Sequence, residues 1–320
     1  QDLFSTLPDD CMLSVFDYLD RDSFETMERV SQKMNSVAKS CVKPKKSFDE
    51  FILFKSNDLF TLYASPNDKN SSCLVYETSV NVVGVKRMIP ALEDGFLPES
   101  SDSAESCITP ANYFSAIESI SAKCAPGKLF IYELYVDDSF LAQLKTAFHD
   151  DLPPKLMFLS ISTDEETNED FFLRFCDLNA SKNRRLEIDL PGGQNTWTPT
   201  RDVLPLICRY SELTIHTMIL PVDLLPALIN MYFNSIDPTS EIACWTFTLS
   251  APIDVNALQI FNIEPYSLEE GSAKEREKLD LSSFLIIRKM DCSFHCELQA
   301  YVSVDGFTVL TTTFTDKKRD

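Results

Sequence analysis

Strand-like and helix-like segments alternate along residues 109–282, and this rhythm constrains the fold more than any other feature of the sequence. Each strand-like segment has two apolar residues two positions apart: Leu134/Val136, Leu159/Ile161, Leu186/Ile188, Leu213/Ile215 and Trp245/Phe247. The first members of these pairs are 25, 27, 27 and 32 residues apart. Apolar faces with helical spacing fill the gaps, as in Phe140, Leu144 and Phe148. The alternation predicts an α/β fold with parallel strands.

Two interpretations of this alternation remain open. The spacing is close to the roughly 20–29 residues of leucine-rich repeats, which favours an irregular leucine-rich-repeat-like β/α array. Leu156, Leu159 and Ile161 fit the L-x-x-L-x-L pattern, although the Asn or Cys that follows the strand in those repeats is missing. A plain α/β domain with a parallel sheet would show the same alternation.

Polar residues are interleaved with the apolar pairs in the same strands. Because successive side chains of a strand point to opposite faces, one row is buried against helices and the other faces solvent. From the second row we select a candidate substrate face: Glu133, Tyr135, Glu187, Asp189, His216 and Thr246. Its acidic residues and its tyrosine are compatible with a basic or aromatic partner, although ordinary solvated strand residues give the same pattern.

Changes in composition predict four regions along the chain. They are three short helices in 1–46, a strand-rich connection with an acidic, serine-rich loop in 47–108, the β/α repeat-like domain in 109–282, and an antiparallel β cap with a tail in 283–320. In the last region Asp305-Gly306 is a typical hairpin turn.

Composition excludes several classes of function. The net charge of −20 argues against nucleic acid as a partner, because phosphates attract clustered Lys and Arg. The most membrane-like run, residues 215–233, is interrupted by prolines and an aspartate, so no membrane partner is predicted. Ten scattered cysteines are typical of free thiols in the cytosol or nucleus.

The sequence contains no pattern that indicates an enzyme, a cofactor or a metal. Seven glycines provide neither a dinucleotide fingerprint nor a phosphate-binding loop. In the cluster Cys292–Cys296, strand geometry places the two cysteines on one face and His295 on the other. We therefore predict buried thiols and a surface imidazole there, with no metal.

The stretch LPDDCMLSVFDYLDRDS, residues 7–23, predicts a short helix that is apolar over most of its circumference. Pro8 suits a first turn, and the aspartates after it face the positive end of the helix dipole. At about 100° per residue the apolar side chains cover about 220°, roughly twice the stripe that one core needs. These side chains are Cys11, Met12, Leu13, Val15, Phe16, Tyr18 and Leu19. The surplus predicts contact with another protein; the alternative is a self-contained helical cap.

The order of residues in this region resembles the F-box. Leu7-Pro8-Asp9-Asp10 stands at that family's leucine–proline start, and Met12–Leu19 is similar to its L-L-x-I-F-x-Y-L core. Asp22-Ser23-Phe24, Val30-Ser31-Gln32-Lys33 and Met34–Ala38 follow at matching intervals, with Ser31 placed to cap a third helix. Cys11 and Met34 depart from the family pattern, which has larger residues there. The similarity covers roughly a tenth of the chain.

The resemblance implies a Skp-type adaptor as partner and, through it, a cullin–RING ubiquitin ligase. It implies adaptor contacts at Leu7, Pro8, Leu13, Phe16, Leu19, Val30 and Met34. The chain would then be a non-catalytic substrate-recognition subunit that holds an unknown protein target through its C-terminal domain. Two alternatives remain open: an F-box scaffold that acts outside the ligase, and an enzyme with a dispersed site.

Overall fold

A computed structural model of the chain provides the structure. It describes residues 7–16, 18–19, 21–39, 41, 45–56, 59–66, 72–79, 82–89, 109–149, 151–164, 166–178, 184–190, 196–234, 243–290 and 294–316. The acidic, serine-rich loop predicted at 93–106 lies outside these residues.

Within the described residues the fold is α/β: short N-terminal helices are followed by mixed β-structure with helices between the strands. The helices are α1 Asp9–Phe16, α2 Arg21–Glu28, α3 Gln32–Ala38, α4 Ala111–Ser121, α5 Asp138–Ala147, α6 Glu169–Asp177, α7 Leu204–Ile207, α8 Leu225–Phe233 and α9 Ala273–Lys278. The strands are β1 Lys46–Ser56, β2 Leu59–Pro66, β3 Cys73–Ser79, β4 Val82–Ile89, β5 Cys124–Tyr132, β6 Lys155–Leu159, β7 Arg184–Ile188, β8 Tyr210–Leu220, β9 Ala243–Leu249, β10 Tyr266–Glu270, β11 Ser283–Lys289, β12 Phe294–Val302 and β13 Thr308–Asp316. None of the described helices combines the length and apolarity that crossing a membrane requires.

The chain divides into two compact units. The first comprises residues 1–103, 108–130 and 142–153, and the second comprises 104–107, 131–141 and 154–320. In the first unit α1–α3 precede an antiparallel meander in which β1, β2, β3 and β4 pair in chain order. Helix α4 begins after Thr109-Pro110 and buries Phe114, Ile117 and Ile120. The hydroxyl of Tyr113 in α4 donates a hydrogen bond to the carbonyl of Thr61 in β2.

In the second unit the strand order is β10-β11-β12-β13-β9-β8-β7-β6. The four strands β6 to β9 are mutually parallel neighbours, and helices connect them, as the alternation predicted. The three C-terminal strands are antiparallel and continue the sheet beside β9 through the β9–β13 pair. The predicted turn at Asp305-Gly306 joins β12 to β13, and Gly306 has a positive φ of 81°. The leucine-rich-repeat interpretation is not confirmed.

Two of the five predicted strand centres are misplaced. Leu134 and Val136 are buried but follow the end of β5, whose own buried residues are Leu129 and Ile131. Strand β6 likewise ends at Leu159, before Ile161. Both segments turn at a residue with a φ of 51°, Glu133 after β5 and Ser160 after β6. Because apolar residues continue to alternate with polar ones after each turn, periodicity could not locate the ends of these strands.

The prediction of a surface imidazole at His295 is wrong. Its side chain is 1% exposed, and its Nε2 is 3.0 Å from Oε1 of Glu297. Strand alternation indicated which face His295 occupies, but not whether that face is covered at this position. Cys296 is buried, as predicted, whereas Cys292 lies outside the described residues.

The core of the second unit is centred on Trp245 in β9. Its ring contacts Tyr232, Phe247 and Phe314, and its indole Nε1–H donates to the carbonyl of Tyr210 at 2.8 Å. This fully buried hydrogen bond ties β9 to the start of β8.

We expect Trp245→Phe to lower the free energy of unfolding by about 1–3 kcal/mol, because the carbonyl of Tyr210 loses its buried donor. Urea denaturation followed by circular dichroism measures the change. Trp197→Phe is the matched control. Trp197 is also buried, and no hydrogen bond of its indole N–H is found among the described residues. Equal costs for the two substitutions would contradict the importance of the Trp245 hydrogen bond.

Candidate adaptor-binding surface and substrate face

Three short helices of the first unit pack around one small core. Six side chains are buried there, and they are Met12, Phe16, Phe24, Met34, Val37 and Ala38. The rings of Phe16 and Phe24 meet edge to face at 4.9 Å between centroids. Such a pair adds to the stabilisation from buried apolar area and connects α1 with α2.

Polar contacts fix the ends of these helices. The hydroxyl of Ser31 accepts a hydrogen bond from the backbone N–H of Met34 at 3.1 Å, so the predicted cap of α3 is confirmed. Lys33 Nζ donates to the carbonyl of Leu7 at 2.6 Å and lies 3.5 Å from the carboxylate of Asp9. These bonds attach the start of α1 to α3.

The apolar surplus of the first helix is on its outer side. Pro8, Cys11, Val15 and Tyr18 are all exposed. Cys11 and Val15 are four residues apart and share one face of α1, while Pro8 directly precedes the helix and Tyr18 follows it in a turn. We call these four residues the α1 strip. Val15 is 40% exposed and Tyr18 is 91% exposed.

A second exposed apolar side chain follows α2. Val30 is 51% exposed in the turn before α3. Beside it lies an open cleft of about 600 Å³ with polar walls, formed by Glu28, Arg29, Ser31, Gln32, Asn35, Ser36 and Lys39. Val30 and this cleft together offer an apolar contact bordered by hydrogen-bonding groups.

The predicted adaptor contacts fall into three groups. Pro8 and Val30 are exposed, and Leu7, Leu13 and Leu19 are half-buried against the core of the trio. Phe16 and Met34 are each only 2% exposed. In this structure they hold the trio together, so their influence on a partner would act through its fold.

Sequence reasoning did not select Cys11, Val15 and Tyr18 as contacts, although it included them in the apolar arc. The intervals of three and four residues that connect them with Pro8 were the available signal. The arc alone could not show which of its two sides would face the core.

The predicted substrate face lies in the second unit. Glu187 of β7, Thr214 of β8 and Thr246 of β9 are in register, so their side chains form one row across three strands. His216 projects from the same region of β8, with its Nε2 3.9 Å from Oε1 of Glu187. The carboxylate of Glu187 raises the pKa of His216 and Asp189 acts in the same direction, whereas partial burial opposes them. The structure therefore brings Glu187, Asp189 and His216 together.

The other two predicted residues of this face follow the end of β5 and are separated from Glu187 by β6. Tyr135 pairs with Ser162 in an isolated parallel bridge, and its hydroxyl donates to Asp164 at 3.0 Å. Glu133 is half-buried at the residue with positive φ, and its backbone N–H donates to the carbonyl of Leu159. Both are held in place by residues at the end of β6 or just after it.

Residues 4–46 match the family model of the F-box domain, so the chain contains an F-box domain at these positions. This confirms the resemblance read from the sequence. An F-box implies binding to a Skp-type adaptor, and F-box proteins are typically non-catalytic adaptors. No curated protein and no solved structure matches the chain.

We expect Phe16→Ala to destabilise the helical trio by about 3–5 kcal/mol, because it removes half of the central aromatic pair. Val15→Ala, at the neighbouring exposed position, should change stability by no more than about 0.5 kcal/mol. Hydrogen exchange of the backbone amides in α1–α3 measures both effects. Similar protection in the two variants would contradict the assignment of Phe16 to the core.

We expect Glu187→Gln to lower the pKa of His216 toward its ordinary value of 6.5, because the neighbouring negative charge is lost. The raised pKa means that the pair stabilises the fold below pH about 6.5 and that this contribution disappears as the pH rises through the folded pKa. An NMR titration of the imidazole measures the shift. Asp164→Asn, which alters the carboxylate bonded to Tyr135, is the control; a titration of His216 that does not respond to Glu187→Gln would contradict the pairing.

Proposed function

We propose that the chain is the substrate-recognition subunit of a Skp–cullin–F-box ubiquitin ligase. The F-box domain carries this proposal, and the exposed apolar residues on its helices support it. The adaptor is bound by the α1 strip and by Val30, with Leu7, Leu13 and Leu19 at the margins. Residues 109–282 hold the target protein on the face that contains Glu187, His216 and Thr246.

The exposed side chains of the F-box supply the energy of adaptor binding. A fully buried aliphatic or aromatic side chain contributes about 1.5–3 kcal/mol. Val15, Tyr18 and Val30 retain much of their surface in the unbound chain, so covering them accounts for a large part of a specific interface.

The chain acts by proximity and contributes no catalytic group of its own. Binding the target and the adaptor at once raises the effective concentration of a target lysine near the ubiquitin-loaded enzyme. The scattered cysteines of the sequence support a location in the cytosol or nucleus, where thiols stay reduced. Burial supports that state at Cys208 by raising its pKa to about 12.

The double substitution Val15→Glu and Tyr18→Glu tests the adaptor surface. It places two carboxylates in the apolar contact without touching the core, so we expect adaptor affinity to fall by at least about a hundredfold while the trio stays folded. Co-expression and calorimetry with the purified adaptor measure the loss.

Met88→Glu is the matched control for this experiment. Met88 is an exposed apolar residue of β4, outside the F-box, and its substitution should leave adaptor binding unchanged. Unchanged affinity in the double variant would exclude the α1 strip as the contact. Adaptor binding without cullin in the recovered complex would favour a scaffold that acts outside the ligase.

A further inference from the structure

The hairpin that joins β12 to β13 carries an exposed apolar cluster. Tyr301, Val302, Val304 and Phe307 are 41%, 61%, 105% and 51% exposed, although they lie within seven residues of one another. Tyr301 and Val302 are consecutive in β12, so they lie on opposite faces of the sheet, and Tyr301 is the member that shares a face with Val309. Exposed aromatic rings such as those of Tyr301 and Phe307 are common in contact surfaces.

Strand register connects this cluster to the predicted substrate face. Tyr301 pairs with Val309 of β13, and Val309 pairs with Thr248 of β9. The adjacent row on the same face runs through Gln299, Thr311 and Thr246 to Thr214 and Glu187. A continuous face of the second unit therefore has Tyr301 at one end, threonines in the middle, and Glu187 with Asp189 at the other end.

The acidic end of this face has a negative surplus. Arg185 is two residues before Glu187 on the same strand, but its Nε is bound to Glu212 at 2.9 Å. His216 is the cationic partner that the structure places at Glu187, and it becomes neutral as the pH rises through its pKa. Two carboxylates beside one titrating imidazole attract a further positive charge.

We propose, building on the proposed function, that this face binds an extended segment of the target with an apolar residue at one end and Lys or Arg at the other. The apolar residue packs on Tyr301 and the hairpin, and the basic residue pairs with Glu187 and Asp189. From β12 to β7 there are four strand spacings of about 4.8 Å, about 19 Å in total. An extended chain covers that distance in about six residues, at about 3.3 Å per residue.

Charge selects this occupant over the other candidates. A second copy would bring another chain of net charge −20, and in a side-by-side arrangement its carboxylates would face Glu187 and Asp189. Anionic lipid and nucleic acid are repelled by the same charge. A basic target segment is attracted to the carboxylates of the acidic end, whereas these partners are repelled by them.

Fluorescence anisotropy of the full chain with synthetic peptides tests the inference. The probe has six variable residues in a Gly/Ser background, with Phe-Leu at one end and Arg-Lys at the other, and it is made in both orders. Companion peptides replace Arg-Lys by Glu-Glu, or Phe-Leu by Ser-Ser. We expect one order of the probe to bind at least about tenfold more tightly than either companion, and to weaken as salt is added.

Variants of the chain locate the peptide. Tyr301→Ser and the double substitution Glu187→Gln with Asp189→Asn should each weaken probe binding at least about fivefold. Met290→Ser and Glu269→Gln, at an exposed apolar residue and an exposed acid elsewhere in the second unit, should leave it unchanged.

Three results would overturn the inference: no probe binding by the wild-type chain, equal binding of the Glu-Glu companion, or variants that bind like the wild type. A dimer in light scattering that Tyr301→Ser abolishes would show that the occupant is a second copy. Adaptor affinity, measured separately on the same variants, should be unchanged. If the wild-type chain does not bind the adaptor, the proposed function is refuted. If it binds the adaptor but not the peptides, only this inference is refuted.

Discussion

The packing of Phe16 against Phe24 is the contact on which the N-terminal surface depends. The three helices contain eight, eight and seven residues, so they have room for one small core between them. With Met12, Phe16, Phe24 and Met34 turned inward, the opposite side of α1 is left to solvent. Because that side still carries Val15 and Tyr18, the same contact that folds the trio also creates its apolar outer face.

The second unit exposes one face of its sheet. Its parallel strands are covered by helices on one face, where Trp245 and Phe247 are buried. The opposite face keeps polar side chains in rows because parallel and antiparallel pairs hold them in register from β7 to β12. Rows of side chains along a sheet face suit an extended protein segment better than a small molecule, which binds in a concave site.

Much of this fold could be predicted from periodicity. Local propensity and tertiary structure agree at the cap of α3, in α4 and in three of the parallel strands. These features lie at Ser31, after Pro110, and around Leu186, Leu213 and Trp245. Misplaced strand centres at Leu134 and Leu159 came from turns whose positive φ falls on Glu133 and Ser160, residues that do not signal such turns. The join of β13 to β9 depends on long-range pairing, which no local pattern records.

The candidate sites were predictable to a similar degree. The apolar arc of α1 indicated a partner, but only the position of the core separates Phe16, which folds the domain, from Val15, which faces outward. The sequence could not predict that Tyr301 shares a sheet face with Glu187. That relation depends on the long-range pairing of β12, β13 and β9, as the β9–β13 pair itself does.

Alkylation of Cys11 tests the central claim most directly. This exposed thiol belongs to the α1 strip, and its rate of reaction with iodoacetamide can be followed by mass spectrometry in the intact chain. If the strip is the adaptor-binding surface, saturating Skp-type adaptor should slow alkylation of Cys11 at least about tenfold, while half-buried Cys124 in the first unit reacts as before. A complex that forms while Cys11 reacts at its free rate would contradict the account.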